Sequence, residues 1–180
     1  RGCPYQCSFC MSSLDDRVRS FSMARIQSDL RLLMDHQVAR IKLVDRTFNY
    51  DPQRAREIFR FILASNRSSH FHFEIGAHLL DGATLDLLKS VPTGMFQFEI
   101  GVQSTRDQTL DTVHRTVPLE KLESNVRQLR ADGRIQLHLD LVAGLPGENY
   151  RDFLSSINRV AALRPDHLQI EPVKLLPGSP

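Results

Sequence analysis

A strand pattern followed by a helix pattern, repeated along most of the chain, is the feature that most constrains this fold. Short apolar stretches typical of strands occur at ARIKLVD, HFHFEIG, MFQFEIGV, IQLHLDLVAG and HLQIEPV, and amphipathic stretches typical of helices separate them. Asp51 followed by Pro52, and then Asp81 and Pro118, are residue types that begin helices. Repeated strand–helix units imply parallel strands joined by right-handed crossovers. The sequence therefore predicts an α/β fold, either a barrel or barrel segment or an open doubly wound sheet.

Four of the strand patterns alternate apolar and polar residues. In HFHFEI, the residues Phe71, Phe73 and Ile75 share one face, and His72 and Glu74 share the other. The apolar positions of the other three strands are Phe96, Phe98 and Ile100, then Ile135, Leu137, Leu139 and Leu141, and finally Leu168 and Ile170.

This alternation favours a barrel with a polar lumen. A parallel strand buried on both faces would read as a continuous apolar run, and burying an unpaired carboxylate is costly. We therefore expect the helices to cover the apolar face and the acids to gather at the carboxyl ends of the strands, where parallel barrels keep their active sites. An antiparallel sheet with one solvated face also alternates, but the intervening helices disfavour it.

All three cysteines of the chain lie in its first ten residues, RGCPYQCSFC, as Cys3, Cys7 and Cys10. Their odd number and their position in a 180-residue chain argue against the disulfide framework of a small secreted protein. Zinc would require four ligands, yet the first histidine is His36. Iron–sulfur clusters are held by closely spaced cysteines, and three thiolates on a four-iron cluster would leave one iron open to a ligand.

Composition disfavours several other classes of protein. The net charge of +2, with scattered arginines, does not indicate nucleic-acid binding, and no apolar run reaches the ~20 residues that cross a membrane. Reduced thiols predict a cytoplasmic location. A hydrophobic content of 41% fits a single domain over residues 1–180, and the chain reads as a piece of a longer protein because it starts directly at its cysteine motif.

The CPYQCSFC stretch, with an aromatic residue beside its last cysteine, resembles the signature loop of the radical S-adenosylmethionine (SAM) superfamily. FEIGVQS and DLVAGLPGE resemble strand motifs of the branch that includes oxygen-independent coproporphyrinogen oxidase, the tRNA elongator catalytic subunit and the tRNA methylthiotransferases. The resemblance implies a [4Fe-4S] cluster on Cys3, Cys7 and Cys10. The amino and carboxylate groups of SAM would then bind its fourth iron. An electron from an external donor such as flavodoxin or ferredoxin would then cleave SAM to a 5′-deoxyadenosyl radical that acts on an unidentified substrate. The implied fold is a partial parallel (β/α)6-type barrel whose first strand is missing from this chain.

The same resemblance implies a set of SAM-binding residues. Glu74 matches an acid that binds the methionine or ribose part of SAM, and Gln103 matches a glutamine after the fourth strand of the family. Arg115 matches an arginine near the SAM carboxylate, and Asp140 matches an acid that contacts the ribose hydroxyls. Glu99, near the end of the strand that precedes Gln103, is expected to face the cofactor, the substrate or Arg115.

The chain departs from the family after its second strand. Many members have a Gly-Gly-Glu-type run there, whose backbone holds the SAM amino group, whereas this chain has LVDRTFNYD. Backbone carbonyls from Val44 to Thr47, assisted by Asp45, are the expected replacement. Residues of this kind are similar to those of radical SAM proteins with an N-terminal cobalamin-binding domain, so cobalamin on a preceding domain is a candidate further cofactor.

Other interpretations of these residues remain open at this stage. Asp140 and Glu74 could be barrel residues paired with Lys42 or Arg40, and polar lumen residues such as His138 could donate protons to a substrate. The sequence identifies no catalytic residue and does not distinguish an oxidoreductase from a transferase. The alternative function is an iron–sulfur or metal-binding protein that transfers electrons, or stabilises a fold, without cleaving SAM.

Overall fold

A computed structural model describes residues 2–15, 17–174 and 177. It contains one sheet of five parallel strands in the order β1-β2-β3-β4-β5, so each strand pairs with the next one along the chain. A doubly wound sheet reverses its strand order at a switch point, and this order has no reversal. Over the residues described, the sheet does not close on itself, so the prediction of a partial parallel barrel is confirmed. The strands are β1 (Arg40–Leu43), β2 (His70–Ile75), β3 (Phe96–Gln103), β4 (Gln136–Ala143) and β5 (His167–Pro172).

Helices connect the strands and begin at the residues that the sequence indicated. Asp51 accepts a hydrogen bond from the backbone N–H of Arg54, and Asp81 accepts one from the backbone N–H of Thr84. Pro118 directly precedes the first residue of its helix. The helices are α1 (Met23–Asp35), α2 (Pro52–Ser65), α3 (Gly82–Leu88), α4 (Asp107–Thr112), α5 (Leu119–Asp132) and α6 (Tyr150–Ala161).

The helices pack against the apolar face of the sheet, where phenylalanine rings form the centre of the core. Phe73 and Phe96 are fully buried, and their rings are 5.1 Å apart between centroids. Phe59 of α2 stacks its edge against Phe73 at 5.2 Å. The predicted apolar face is therefore confirmed, with one exception. Ile170 is 45% exposed because it lies on β5, which has a neighbouring strand on one side only.

Polar side chains line the opposite face of the sheet, as the alternation predicted. The register of the parallel strands places these residues in rows across the sheet. Each successive row lies closer to the carboxyl ends of the strands. The first row is Lys42, His72, Gln97 and Gln136, and the second is Glu74, Glu99, His138 and His167.

The part of the chain that the structure describes has no helix with the length and apolar character to span a membrane.

Candidate cofactor site

A cavity of about 190 Å³ lies between the cysteine loop and the carboxyl ends of the strands. It brings together all three predicted metal ligands and six of the eight predicted cofactor-binding residues. Parallel strands deliver their last side chains to one edge, and the loop that carries the cysteines closes over that edge. The predicted residues that line the cavity are Cys3, Cys7, Cys10, Thr47, Glu74, Glu99, Gln103, Arg115 and Asp140.

Val44 and Asp45 do not line this cavity. They line a separate pocket beside β1, and Val44 is 81% exposed. Thr47, three residues after Val44, is buried in the cavity wall, where its Oγ1 donates a hydrogen bond to the carbonyl of Arg46 and lies 3.9 Å from Cys3 Sγ. The expected backbone contact with the SAM amino group therefore remains a prediction for the stretch from Val44 to Thr47.

A backbone hydrogen bond and an aromatic side chain hold the cysteine loop against the barrel. The N–H of Ser8 donates to the carbonyl of Val113 over 3.1 Å, whereas the N–H of Cys10 donates to the carbonyl of Cys7 over 3.0 Å and closes a turn within the loop itself. Phe9 packs against a small buried cluster that contains Val113. The loop is thus fixed to the barrel between its second and third cysteines.

The three cysteines fit a four-iron cluster by their chemistry and placement. Cys7 is buried and Cys3 and Cys10 are half-buried, with all three at one wall of the cavity. Among the described residues, no three His, Cys, Asp or Glu side chains are arranged to hold a single metal ion. A four-iron cluster is compatible with this arrangement because each cysteine binds a different iron, so the three sulfurs need not meet at one point.

Arg115 connects the cysteine loop to the end of β3. Its Nη2 donates a hydrogen bond of 2.6 Å to the carbonyl of Gly101, and its Nη1 lies 3.7 Å from Cys7 Sγ. Burial raises the pKa of the Cys7 thiol, and the Arg115 guanidinium opposes this effect. The Nε of Arg115 is buried and has no hydrogen-bond partner among the described residues. That donor is therefore available to a ligand carboxylate.

A Tyr5–His78 pair supports Arg115 from the other side, and the sequence did not indicate it. Tyr5 Oη and His78 Nε2 are 2.6 Å apart, and the Arg115 guanidinium lies 5.3 Å from the centroid of the Tyr5 ring. Burial, together with Arg115, lowers the pKa of His78 to about 4, so this imidazole is neutral at pH 7. The two residues are 73 positions apart in the sequence, and only the tertiary structure shows that they meet.

A β-bulge at the end of β3 places Gln103 in the cavity wall. The pairing with β4 shifts register between Gly101 and Gln103, and Gln103 adopts a φ of 70°, which is uncommon for a residue other than glycine. A Cβ atom at Gly101 would overlap Gln103 Nε2. Glycine at position 101 therefore leaves the space in which the Gln103 side chain lies.

Lys42 joins Glu74 and Glu99 on the polar face of the sheet. Its Nζ lies 3.3 Å from Glu74 Oε1 and 3.3 Å from Glu99 Oε2. Burial lowers the pKa of Lys42, but Glu99 and Glu74 outweigh that effect and raise it overall. His72 Nε2 is 2.7 Å from the same oxygen of Glu99. The pairing of Glu74 with Lys42, which the sequence allowed, is thus present, and Glu99 contacts Lys42 and His72 rather than Arg115.

Asp140 has a buried carboxylate oxygen without a hydrogen-bond partner among the described residues. Its Oδ1 is buried, and although His138 Nε2 lies 3.2 Å away, the two groups are not aligned for a hydrogen bond. Burial raises the pKa of Asp140 to about 7, and the nearby Glu99 and Glu74 contribute to the rise. The carboxyl group therefore lies in the cavity wall with an unused acceptor.

The sequence profile of the Radical SAM superfamily matches residues 1–160 of the chain. One relative is the anaerobic coproporphyrinogen III oxidase 1 of Cereibacter sphaeroides, which is 33% identical over 100 residues, or 56% of this chain and 22% of the relative. Another is TokK of Streptomyces tokunonensis, a cobalamin-dependent radical SAM methyltransferase that is 26% identical over 191 residues, or 100% of this chain and 28% of the relative.

Among solved structures, the radical SAM methyltransferase TsrM of Kitasatospora setae, with cobalamin and a [4Fe-4S] cluster bound, superposes with a TM-score of 0.83. The match has 20% identity and covers 99% of this chain and 34% of TsrM, so it establishes the fold. The matched part of the chain thus spans between 22% and 34% of the length of these relatives.

The comparisons confirm the resemblance that the cysteine loop and strand motifs indicated. Coproporphyrinogen oxidases, which the sequence resembled, are among the relatives, and so is a cobalamin-dependent radical SAM methyltransferase, in line with the similarity to cobalamin-binding radical SAM proteins. The cofactors of the family are a [4Fe-4S] cluster and SAM, and the chain belongs to the radical SAM superfamily.

Proposed function

We propose that this chain is the core of an enzyme in which a [4Fe-4S] cluster on Cys3, Cys7 and Cys10 supplies the electron that cleaves SAM to a 5′-deoxyadenosyl radical. The radical acts on a substrate that the chain does not identify. The observation that supports this proposal is the convergence of three thiols and several ligand-binding polar groups in one cavity. A protein that only carried electrons would not need those polar groups beside its cluster.

Arg115 is suited to bind the carboxylate of SAM. Its guanidinium is already oriented by the Gly101 carbonyl and by the ring of Tyr5, so little side-chain entropy is lost when a ligand binds. The free Nε then donates a charge-assisted hydrogen bond.

Asp140 and Glu74 are suited to bind the ribose and the positively charged part of SAM. Asp140 has an oxygen without a hydrogen-bond partner, and a carboxylate can accept two vicinal hydroxyls. Glu74 is held by Lys42 at 3.3 Å and is only 20% exposed, so its position is fixed before SAM binds. Gln103, turned into the cavity by the bulge, adds an amide beside them.

The substrate, the electron donor and further cofactors belong to the whole protein. The polar lumen beneath the cavity provides space next to the site where the radical forms, which supports a substrate that enters the lumen. The need for reduced thiols supports a cytoplasmic location and an external one-electron donor such as flavodoxin or ferredoxin. The relatives TokK and TsrM support cobalamin as a cofactor of a preceding domain.

An anaerobic cleavage assay tests the proposal. The full-length protein is reconstituted with iron and sulfide, reduced with dithionite, and assayed for 5′-deoxyadenosine and methionine formed from SAM. We expect both products in equal amounts, and we expect Arg115→Gln to raise the SAM concentration needed for half-maximal cleavage. Arg60→Gln is the matched control, because Arg60 is an exposed arginine of α2. Full cluster content without SAM cleavage would favour the electron-transfer alternative.

A further inference from the structure

On the polar face of the sheet, His72 pairs with Glu99 and His138 pairs with Asp140. The two pairs differ in their hydrogen bonding. His72 Nε2 lies 2.7 Å from Glu99 Oε2 in a hydrogen bond, and Lys42 also contacts Glu99. His138 Nε2 lies 3.2 Å from Asp140 Oδ1 without a hydrogen bond, and that oxygen has no other partner among the described residues. The first pair is complete without a ligand, whereas the second is not.

The surroundings of Asp140 favour its protonated form in the free protein. Burial is the largest cause, and Glu99 and Glu74 add like charge, so the pKa rises to about 7 although Lys42 opposes the rise. Glu171 of β5 adds further negative charge. A proton therefore resides on this carboxyl group below neutral pH.

The surroundings of His138 favour its neutral form. Burial lowers the pKa of His138, Glu99 and Gln169 raise it, and the imidazoles of His167 and His72 lower it again. The side chains of His138 and Asp140 are both only 17% exposed, so bulk water has little access to the proton between them. A protonated carboxyl group thus lies 3.2 Å from an unprotonated imidazole, and proton transfer requires the two side chains to align when SAM binds.

We propose that His138 accepts the proton of Asp140 when SAM binds. The O–H bond of the carboxyl group breaks and an N–H bond forms at Nε2, which leaves a carboxylate to accept the ribose hydroxyls. The imidazolium that results lies near Glu99, which stabilises its charge. His138 is then a positioning residue, because it acts on SAM only through Asp140. This inference rests on the proposed function.

Proton transfer from Asp140 to His138 changes the number of protons that are released when SAM binds. The amino group of SAM, with a pKa of about 7.7–8.0, would have to lose its own proton to bind an iron, so SAM binding to the wild type would release about one proton at pH 6. In His138→Gln the Asp140 proton has no internal acceptor, so it must also leave, and the count rises to about two. Because the pKa of Asp140 is about 7, releasing this proton at pH 6 should weaken SAM binding by up to about tenfold relative to wild type, while the two proteins converge at pH 8.

Isothermal titration calorimetry of SAM against the cluster-reconstituted full-length protein, in buffers of different ionisation enthalpy, measures both quantities. His36→Gln is the matched control: it removes an exposed imidazole that follows α1 and lies outside the lumen. It should keep the wild-type proton count, and its ratio of SAM affinities at pH 8 and pH 6 should stay within about twofold of the wild-type ratio. Iron content and circular dichroism show whether each variant is folded, and His138→Asn replaces His138→Gln if the latter does not fold.

The outcomes separate the two proposals. Two results would overturn the role of His138 while leaving SAM binding established. One is the release of two protons by the wild type; the other is that wild type and His138→Gln release equal numbers of protons and have the same ratio of SAM affinity at pH 8 to that at pH 6. No SAM binding to the reconstituted wild type would overturn the proposed function, and this inference with it.

Discussion

Replacing Asp140 by asparagine should make the cluster-free protein more stable at high pH. The pKa of this carboxyl group is about 7 in the folded protein against an ordinary value of 3.8, and its side chain is only 17% exposed. A raised carboxyl pKa means that the folded state holds the proton more tightly. Its contribution to stability is therefore complete below pH ~4 and is lost as the pH rises to about 7.

The size of the effect follows from the difference of about three pKa units, each worth about 1.4 kcal/mol, which gives at most about 4 kcal/mol. Asp140→Asn has no carboxyl group to ionise. Its free energy of unfolding should therefore exceed that of the wild type by up to this amount at pH 8 and match it within about 1 kcal/mol at pH 4. Urea denaturation of the cluster-free protein, followed by circular dichroism between pH 4 and pH 8, measures the difference. Asp111→Asn, at an exposed position of α4, is the control and should show no such trend. A wild type that equals or exceeds Asp140→Asn at pH 8 would refute the raised pKa.

Three further predictions concern the loop and the core. Cys7→Ala should abolish the cluster, so reconstituted iron content and visible absorbance should fall to background; retained absorbance with full iron would contradict Cys7 as a ligand. Tyr5→Phe keeps the ring beside Arg115 but removes the hydrogen bond to His78, so the free energy of unfolding should fall by about 1–3 kcal/mol in urea denaturation, and an unchanged value would show that this bond does not form. Phe73→Ala should cost about 3–5 kcal/mol in the same assay, because Phe73 is fully buried among other rings; a loss below about 1 kcal/mol would contradict its place in the core.

The sequence was sufficient for the architecture because period-two alternation reports which face of a strand is buried. Phe71 and Phe96 could be assigned to the core from their spacing alone, and the acids on the other face followed from the same pattern. The prediction that Ile170 is buried was wrong, because alternation does not show whether a strand lies at the edge of the sheet. Periodicity therefore predicts the faces of strands, and only the assembled sheet shows what covers each face.

The site was predictable where it depends on motifs and unpredictable where it depends on packing. Three cysteines at close spacing and acids at strand ends indicated the residues of the cavity, including Asp140. The contact of Tyr5 with His78, and the bulge that turns Gln103, depend on tertiary packing and strand register, which leave no local signal. The free oxygen of Asp140 is likewise a property of its three-dimensional surroundings.

The most direct test of a cluster with one iron open to SAM is electron–nuclear double resonance of the reduced, reconstituted protein with SAM labelled by 15N in its amino group and 17O in its carboxylate. We expect hyperfine coupling of both nuclei to the cluster, since both groups should bind the iron that Cys3, Cys7 and Cys10 leave free. Absence of both couplings while SAM is bound, or zinc in place of iron at these cysteines, would contradict the central claim.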